Sequence, residues 1–343
     1  MGLRSYILKR TIYTIFLVFF VLSINFLIFE VMPGNAIEFF AGRPGAMSPE
    51  RVAALVRMWG LDRPIHEKYI TYIVNMLTFK FGHSVRPPNT PIVDKIAEAL
   101  PNTILLMGTS TILSIIIGIL VGIIAAYKRG GKLDTTLVIS SLVTYSLPTF
   151  WMGMIALIVF SRTLGWFPPG QVLSNLYPPM IQTTIGIPNL FALSIRIPSI
   201  MEIGDRLWHL FLPCAVLTLF QYGNYLLLAR ATMLETLTED YIVTARAKGL
   251  KERTVIFKHA FKNASLPIIT SVALAAGFMI SGAIITETVF SWPGLGRLTM
   301  DAINLYDYPF LHVIFYVIAL CVILANFVAD LLYGVIDPRI KYG

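Results

Sequence analysis

Residues 244–267 read TARAKGLKERTVIFKHAFKNASLP and hold six basic side chains against one acid, Glu252, with Ala245, Ala247 and Gly249 set among them. Arg246, Lys248, Lys251 and Arg253 offer charge to acidic groups on a partner, and the small residues let its surface come close. Bond-making chemistry finds no such cluster. The five histidines, His66, His83, His209, His259 and His312, form no HExxH pair for zinc, and no GxSxG places a nucleophilic serine. His259, between Lys258 and Ala260, reads as helix surface. No paired Asp-rich motif is present to hold a magnesium diphosphate. Gly131-Lys132 is followed by Leu133 and has no glycine five residues earlier, so the loop that would cradle a nucleotide phosphate is missing. Cys214 and Cys321 both lie in apolar runs and read as small buried hydrophobes, not metal or disulfide partners. The expectation is a chain with no catalytic residue, no metal site and no cofactor of its own.

The elements around the patch follow from composition. The chain has 343 residues, 56% hydrophobic and 13% charged, with a mean hydropathy of +0.72. A soluble domain carries about 25% charged residues. Six apolar runs are long enough to cross a bilayer, at about 11–31, 103–126, 137–160, 210–229, 267–288 and 312–336. The first has no small-residue cleavage site after it and is expected to stay as an anchor. With the N-terminus inside, the four inner segments hold 15 of the 27 Lys and Arg in about 60 residues. The three outer segments hold 12 in more than 140. This bias favours N-in and C-in and explains most of the +8 net charge, so no nucleic-acid partner is expected. The fold class is therefore an all-α membrane protein of six transmembrane helices, with a small helical extracytoplasmic subdomain between helices 1 and 2. In that subdomain Val52, Leu55, Val56 and Trp59 make a helical stripe over 48–59, and Ile65, Tyr69 and Ile73 make another from Pro64 to about Leu77. Such helices either pack on the spans or dock a soluble partner. The Pro-rich segment 161–209 suggests no fold.

Inside the bundle, Gly118 and Gly122 form a GxxxG pair, and Gly277 sits in a similar small-residue row, so these three are the candidates for close helix packing. The partner helix is either in the same chain or in a second subunit. Asn25, Tyr145, Ser146, Thr149, Gln221 and Asn224 are polar at membrane depth and are the candidates for a translocation path. Pro148 frees backbone carbonyls beside that path. Acids are few, and Asp330 is the deepest, so no ladder of carboxylates points to a proton or sodium relay. An ion-coupled carrier would need one, and an intramembrane enzyme would need a catalytic constellation. A scarcity of Gln (171, 182 and 221 only) hints at a thermophilic source.

The patch itself is expected to be a helix over Thr238–Lys248 with Glu239 and Asp240 in its first turn, a left-handed Gly249, and a second helix from Lys251. This stretch resembles the cytoplasmic coupling loop of ABC-importer permeases of the dipeptide, oligopeptide and nickel branch. The general loop has Glu-Ala-Ala, a Gly four residues on and a Leu-Pro; here Val243, Thr244 and Ala245 stand at the first three positions and Gly249 at the fourth. Leu266-Pro267 lies five residues beyond the general spacing, as in the longer peptide-branch form. Val243 in place of Glu means that the Glu role does not carry over. FGHSVR (81–86), EALPNTILL (98–106), LGWFPPG (164–170), TETVFSWPGLG (286–296) and DLLYGVIDPRIK (330–341) resemble the same branch in the same order.

The resemblance implies a permease subunit of an ATP-driven importer. Its partners would be a second homologous permease, two cytoplasmic ABC ATPases holding the ATP and magnesium, and an extracytoplasmic solute-binding protein. Thr244, Ala245, Arg246, Ala247, Lys248, Gly249 and Leu250 would engage an ATPase. The implied substrates are di- or oligopeptides, with oligosaccharides or nickel as alternatives. The expected division is an anchor over 1–32, an extracytoplasmic segment over 33–97, a five-helix core over 98–336 carrying the loop 235–266, and a cytoplasmic tail over 337–343.

Overall fold

Helix dominates the computed structural model, which describes residues 3–31, 50, 53, 63–84, 90–173, 182–187, 191–196, 200–279 and 283–336. The expected helix over 48–59 lies outside these residues except at positions 50 and 53. The described chain divides into two compact units, Met1–Thr103 with Ile280–Ile284 and Pro293–Gly343, and Ile104–Met279 with Ile285–Trp292.

The first unit is built on helix α1 (Leu3–Val31) and the last helix of the chain (Tyr308–Ile336), which run along each other. At one end Arg10 pairs with the Asp330 carboxylate at 2.9 Å, and the Tyr6 hydroxyl donates to the Asp330 carbonyl at 2.9 Å. The acid read as the deepest thus has a basic partner. Helix α2 (Ile65–Leu77) packs by burying Tyr72 and Met76, with Ile73 partly covered, into a core with Leu22, Ile92, Ile96, Phe310 and Ile314. The expected stripe is displaced by part of a turn, because Ile65 is left exposed and Tyr72 and Met76 take the inner face. A short β1–β2 pair (His83–Ser84 with Thr90–Pro91) follows. The buried Ser84 hydroxyl donates to the buried Asp307 carboxylate and accepts from Lys95 Nζ at 2.9 Å.

Helix α3 (Ile92–Tyr127) gives its residues from Ile104 onward to the second unit. There follow α4 (Lys132–Ser146), α5 (Thr149–Ala156, continued as π-helix to Thr163) and α6 (Ile200–Thr236). Helix α6 is the hub, packed by α4, α5 and α9 (Phe261–Phe278) and approached by the α3 glycines. Pairing of Arg230 Nε and Nη2 with both Asp134 oxygens, at 2.7 and 2.9 Å, ties α6 to the start of α4. Asp134 also accepts the Gly130 backbone N–H at 3.0 Å.

The expected uniform span at 137–160 is broken. Proline forces the residue before it into extended backbone, and Leu147 before Pro148 has φ −80 and ψ 134. The α4 and α5 axes bend there by 97°. The all-α expectation also fails locally: Gln182–Ile187 and Phe191–Arg196 form an antiparallel hairpin, β3–β4, within the segment left without a fold. β-branched residues at every second position, Thr183, Ile185 and Ile187, carry that signal. By length and composition four described helices could cross a membrane, or five if the bent pair is one span.

Candidate functional site

The basic patch folds into a short helix, a tight turn and a long helix. Helix α7 (Asp240–Ala247) starts after Glu239, whose extended φ −72 and ψ 146 mark the cap, with Asp240 in the first turn where the helix dipole favours an acid. It ends through Gly249 at φ +74, a left-handed conformation that glycine adopts without a Cβ penalty. The chain then enters α8 (Glu252–Thr254), passes through a π-helical segment (Val255–Ala260) and continues as α9. The extra length relative to the general coupling loop falls in this stretch. π-segments concentrate at functional sites.

Helical period decides which side chains of α7 face out. Ile242 and Ala245, three residues apart, are buried in a cluster with Ile123, Ala126, Met233, Val255, Ile256, Ala260 and Ala264. Ala245 therefore does not belong to an exposed tip; it seats α7 on the helices beneath. Thr244, Ala247, Lys248, Gly249 and Leu250 are exposed. Val243, at the position where the general loop has Glu, is 59% exposed. The outer face is thus an apolar and small-residue surface with Lys248 at its edge.

Arg246 is also redirected. It pairs with Glu252 at 2.8 Å across the Gly249 turn instead of standing free for a partner. That hydrogen bond pushes its guanidinium pKa up from an already high ordinary value, so Arg246 stays charged. Exposed pairs of this kind contribute about 0–1 kcal/mol. Replacing Arg246 by Ala is accordingly expected to shift stability by less than about 1 kcal/mol, measured by thermal unfolding in detergent. A larger loss would mean that the pair, not the Ile242 and Ala245 face, holds the turn.

Above this base, α3, α6 and α9 line a half-open cavity of about 280 Å³, whose wall includes Thr111, Gln221, the exposed Asn224 and Ser271 with Met107 and Met279. Two of the six path candidates, Gln221 and Asn224, meet here, one turn apart on α6. Tyr145, Ser146 and Thr149 stand instead at the α4–α5 bend, where Tyr145 stacks on Phe220 with ring centroids 5.5 Å apart. Asn25 belongs to the first unit, where its amide donates to the Tyr72 hydroxyl and to the His312 carbonyl, both at 2.9 Å. Those two bonds give it a packing role. Thr111 and Ser271 have no local signal in the sequence; the packing of the three helices brings them to the cavity.

Gly118 and Gly122 approach α6 of the same chain. A Cβ on Gly118 would stand 2.6 Å from the Tyr222 carbonyl oxygen, and one on Gly122 2.6 Å from that of Leu226. Gly277 lies in α9, but its surroundings fall outside the described residues.

Known proteins resemble the chain along its whole length. The family profile described as binding-protein-dependent transport system inner membrane component matches residues 118–342, and a companion profile for the N-terminal part of such components matches 3–107. The oligopeptide transport system permease protein AppB of Bacillus subtilis (strain 168) is 35% identical over 340 residues, which is 99% of this chain and 100% of that one. A di/tripeptide transport system permease protein, DppB of Pseudomonas aeruginosa (strain UCBPP-PA14), is 36% identical over 98% of this chain and 99% of its own. The dipeptide transport system permease protein DppB of Escherichia coli (strain K12) is 36% identical over 93% of both chains. Among solved structures, a chain of the MetNI methionine ABC transporter in inward-facing conformations shares the fold, with a TM-score of 0.53 at 14% identity over 71% of this chain and 96% of that chain.

Proposed function

Since the chain belongs to the family of binding-protein-dependent transport system inner membrane components, we propose that it is the permease subunit through which an ATP-driven importer passes di- and oligopeptides. One observation carries the substrate class: relatives named for oligopeptide and dipeptide transport align with it over nearly their full length at 35–36% identity. The chain is a multi-pass protein of the cell membrane. In this reading α1, α3, the broken α4–α5 pair, α6, α9 and the last helix (Tyr308–Ile336) make six spans, with both termini inside. The excess of Lys and Arg in the inner segments supports that orientation.

The remaining parts of the machine are then assigned by chemistry. A second, homologous permease would pair with this one, and each would offer one coupling loop to one of two ATPases that hold ATP and magnesium. The surface offered here is Thr244, Ala247, Lys248, Gly249 and Leu250, while Ala245 and Arg246 hold that surface in shape. Closure of the ATPases would pull α7, and through its buried face the base of α3 and α6, toward the partner loop. The tightly packed contact around Ile242 and Ala245 supports such transmission, because close-packed interiors pass strain on without absorbing it. Solute released by the extracytoplasmic binding protein would then pass the polar, uncharged cavity. Tyr145, Ser146 and Thr149 at the bend are assigned to the same route.

The test is ATP hydrolysis by the assembled importer in liposomes, with its binding protein loaded in turn with a tripeptide and with a glucan. Stimulation by the peptide-loaded protein alone is expected. Stimulation by the glucan-loaded protein alone would keep the machine and overturn the substrate. Activity of this chain by itself, driven by an ion gradient, would overturn both.

A further inference from the structure

The cavity between α3, α6 and α9 has a composition that its place on a route does not require. Among the described residues, none of its lining side chains carries a charge, and Tyr225, the one titratable group among them, is buried. What it offers instead is paired donors and acceptors. Gln221 and Asn224 are carboxamides three residues apart on one helix face. Thr111 Oγ1 donates to Gln221 Oε1 at 3.2 Å, which fixes that carboxamide and leaves its NH₂ as a donor. Among the described residues, neither Asn224 nor Ser271 has a side-chain hydrogen-bond partner within the chain. Met107 and Met279 complete the wall with unbranched, adaptable thioethers, the kind of surface that accepts side chains of different shape.

A ligand for this lining must present neutral donors and acceptors at short intervals and variable groups beside them. A peptide backbone does so at every residue, with one N–H and one C=O. A sugar would present hydroxyls too, but ring faces want an aromatic platform, and the single aromatic among the described lining residues, Tyr225, is only 5% exposed. A ligand recognised by its charge would find no counter-charge among the described lining residues. The volume of about 280 Å³ is at the foot of the range for small-molecule sites, about 300–1,000 Å³, so it admits a residue or two at a time.

We propose that this cavity is a transit subsite that holds the backbone amide of a passing peptide through Gln221, Asn224 and Ser271 and is blind to side-chain charge. It rests on the peptide reading above and adds to it what is recognised inside the membrane.

The experiment uses the complete importer in proteoliposomes with saturating binding protein, and measures uptake of Ala-Ala-Ala, Ala-Lys-Ala and Ala-Asp-Ala per ATP hydrolysed. The wild type is expected to treat the three alike. Gln221→Leu and Asn224→Leu are each expected to lower uptake of all three alike, by roughly three- to tenfold, the worth of a hydrogen bond. Asn224→Asp is expected to slow Ala-Asp-Ala at least about tenfold relative to Ala-Lys-Ala, because juxtaposed like charges are strongly unfavourable. Assembly of each variant into the complete importer, read by size-exclusion chromatography, certifies it as folded, and Asn224→Ser replaces any that fails. Leucine variants with unchanged uptake, or an aspartate variant that moves all three peptides equally, would overturn the subsite. A wild type stimulated by no peptide-loaded binding protein would instead remove the peptide reading itself.

Discussion

Leucine at position 122 is expected to leave little folded protein in the membrane, whereas leucine at position 108 is expected to be tolerated. Both are glycines of α3, and their surroundings differ. A Cβ on Gly122 would meet the Leu226 carbonyl oxygen at 2.6 Å and the Ala229 Cβ at 2.8 Å, and next the Arg230 backbone nitrogen at 3.2 Å. Two of these are backbone atoms in the middle of α6, which cannot move aside as a rotamer does. Even one methyl must push α3 and α6 apart, and a gap of a fraction of an ångström already forfeits a quarter to a half of each contact's dispersion energy. Gly118, one turn earlier, makes the same approach to Tyr222 and Tyr225, so the separation would spread along the interface. In a membrane no hydrophobic drive between helices compensates, because lipid solvates apolar side chains equally well. Overpacking typically costs about 1–3 kcal/mol, and this site lies at or above the top of that range. At Gly108 a Cβ meets nothing within 4 Å. Thermal unfolding of the two purified variants in detergent distinguishes them. Equal melting would mean that the α3–α6 approach does not hold the second unit together.

Much of this was legible in the sequence because it rests on local rules. Small residues at i and i+4 in an apolar helix report close packing, and Gly118 and Gly122 pack closely. A glycine just past a short helix reports a left-handed cap, and Gly249 has φ +74. The misreadings have a common cause, which is that type was read without facing. By type Ala245 groups with Ala247 and Gly249 as a small residue, although Ile242 three positions earlier marks the inner face of the same helix. Arg246 reads as free charge by type, although Glu252 stands just across the four-residue connection Lys248–Lys251 that brings the helix ends together. Other features have no local signal. The Arg10–Asp330 pair joins residues 320 positions apart, and Asn25 meets the His312 carbonyl across 287. A π-helical segment depends on how the following helix must face, so its sequence VIFKHA looks like ordinary helix. Gln221 and Asn224 could be picked out as polar at depth, but only the packing of three helices shows that Thr111 and Ser271 share their cavity.

Tryptophan at Ala245 and valine at Gly249 are expected to stop transport while sparing membrane insertion, for opposite physical reasons. Ala245 is packed against the cluster of Ile242, Met233, Val255 and Ile256, so an indole there has nowhere to go. Helix α7 is only eight residues long and makes its hold through this face. The cheapest response to overpacking is therefore for α7 to lift from its seat while the long helices stay in place. Gly249 is the reverse case, because a Cβ there touches nothing within 4 Å. Its constraint is the positive φ, where a β-branched side chain is a severe outlier and a non-glycine residue costs about 1–2 kcal/mol. Valine would rebuild the turn and move Lys248 and Leu250 off their positions. Asparagine, which tolerates left-handed backbone, is expected to restore most of the function. In the assembled importer, peptide-stimulated ATP hydrolysis should fall about tenfold or more in both disruptive variants, the scale of a 1.4 kcal/mol loss. Gly249→Asn should stay within about threefold of the wild type. The ratio of asparagine to valine is the informative quantity. If the two behave alike, the left-handed turn is incidental and the partner reads side-chain size at 249; if they differ as expected, what the partner requires is the shape that this turn gives the outer face of α7.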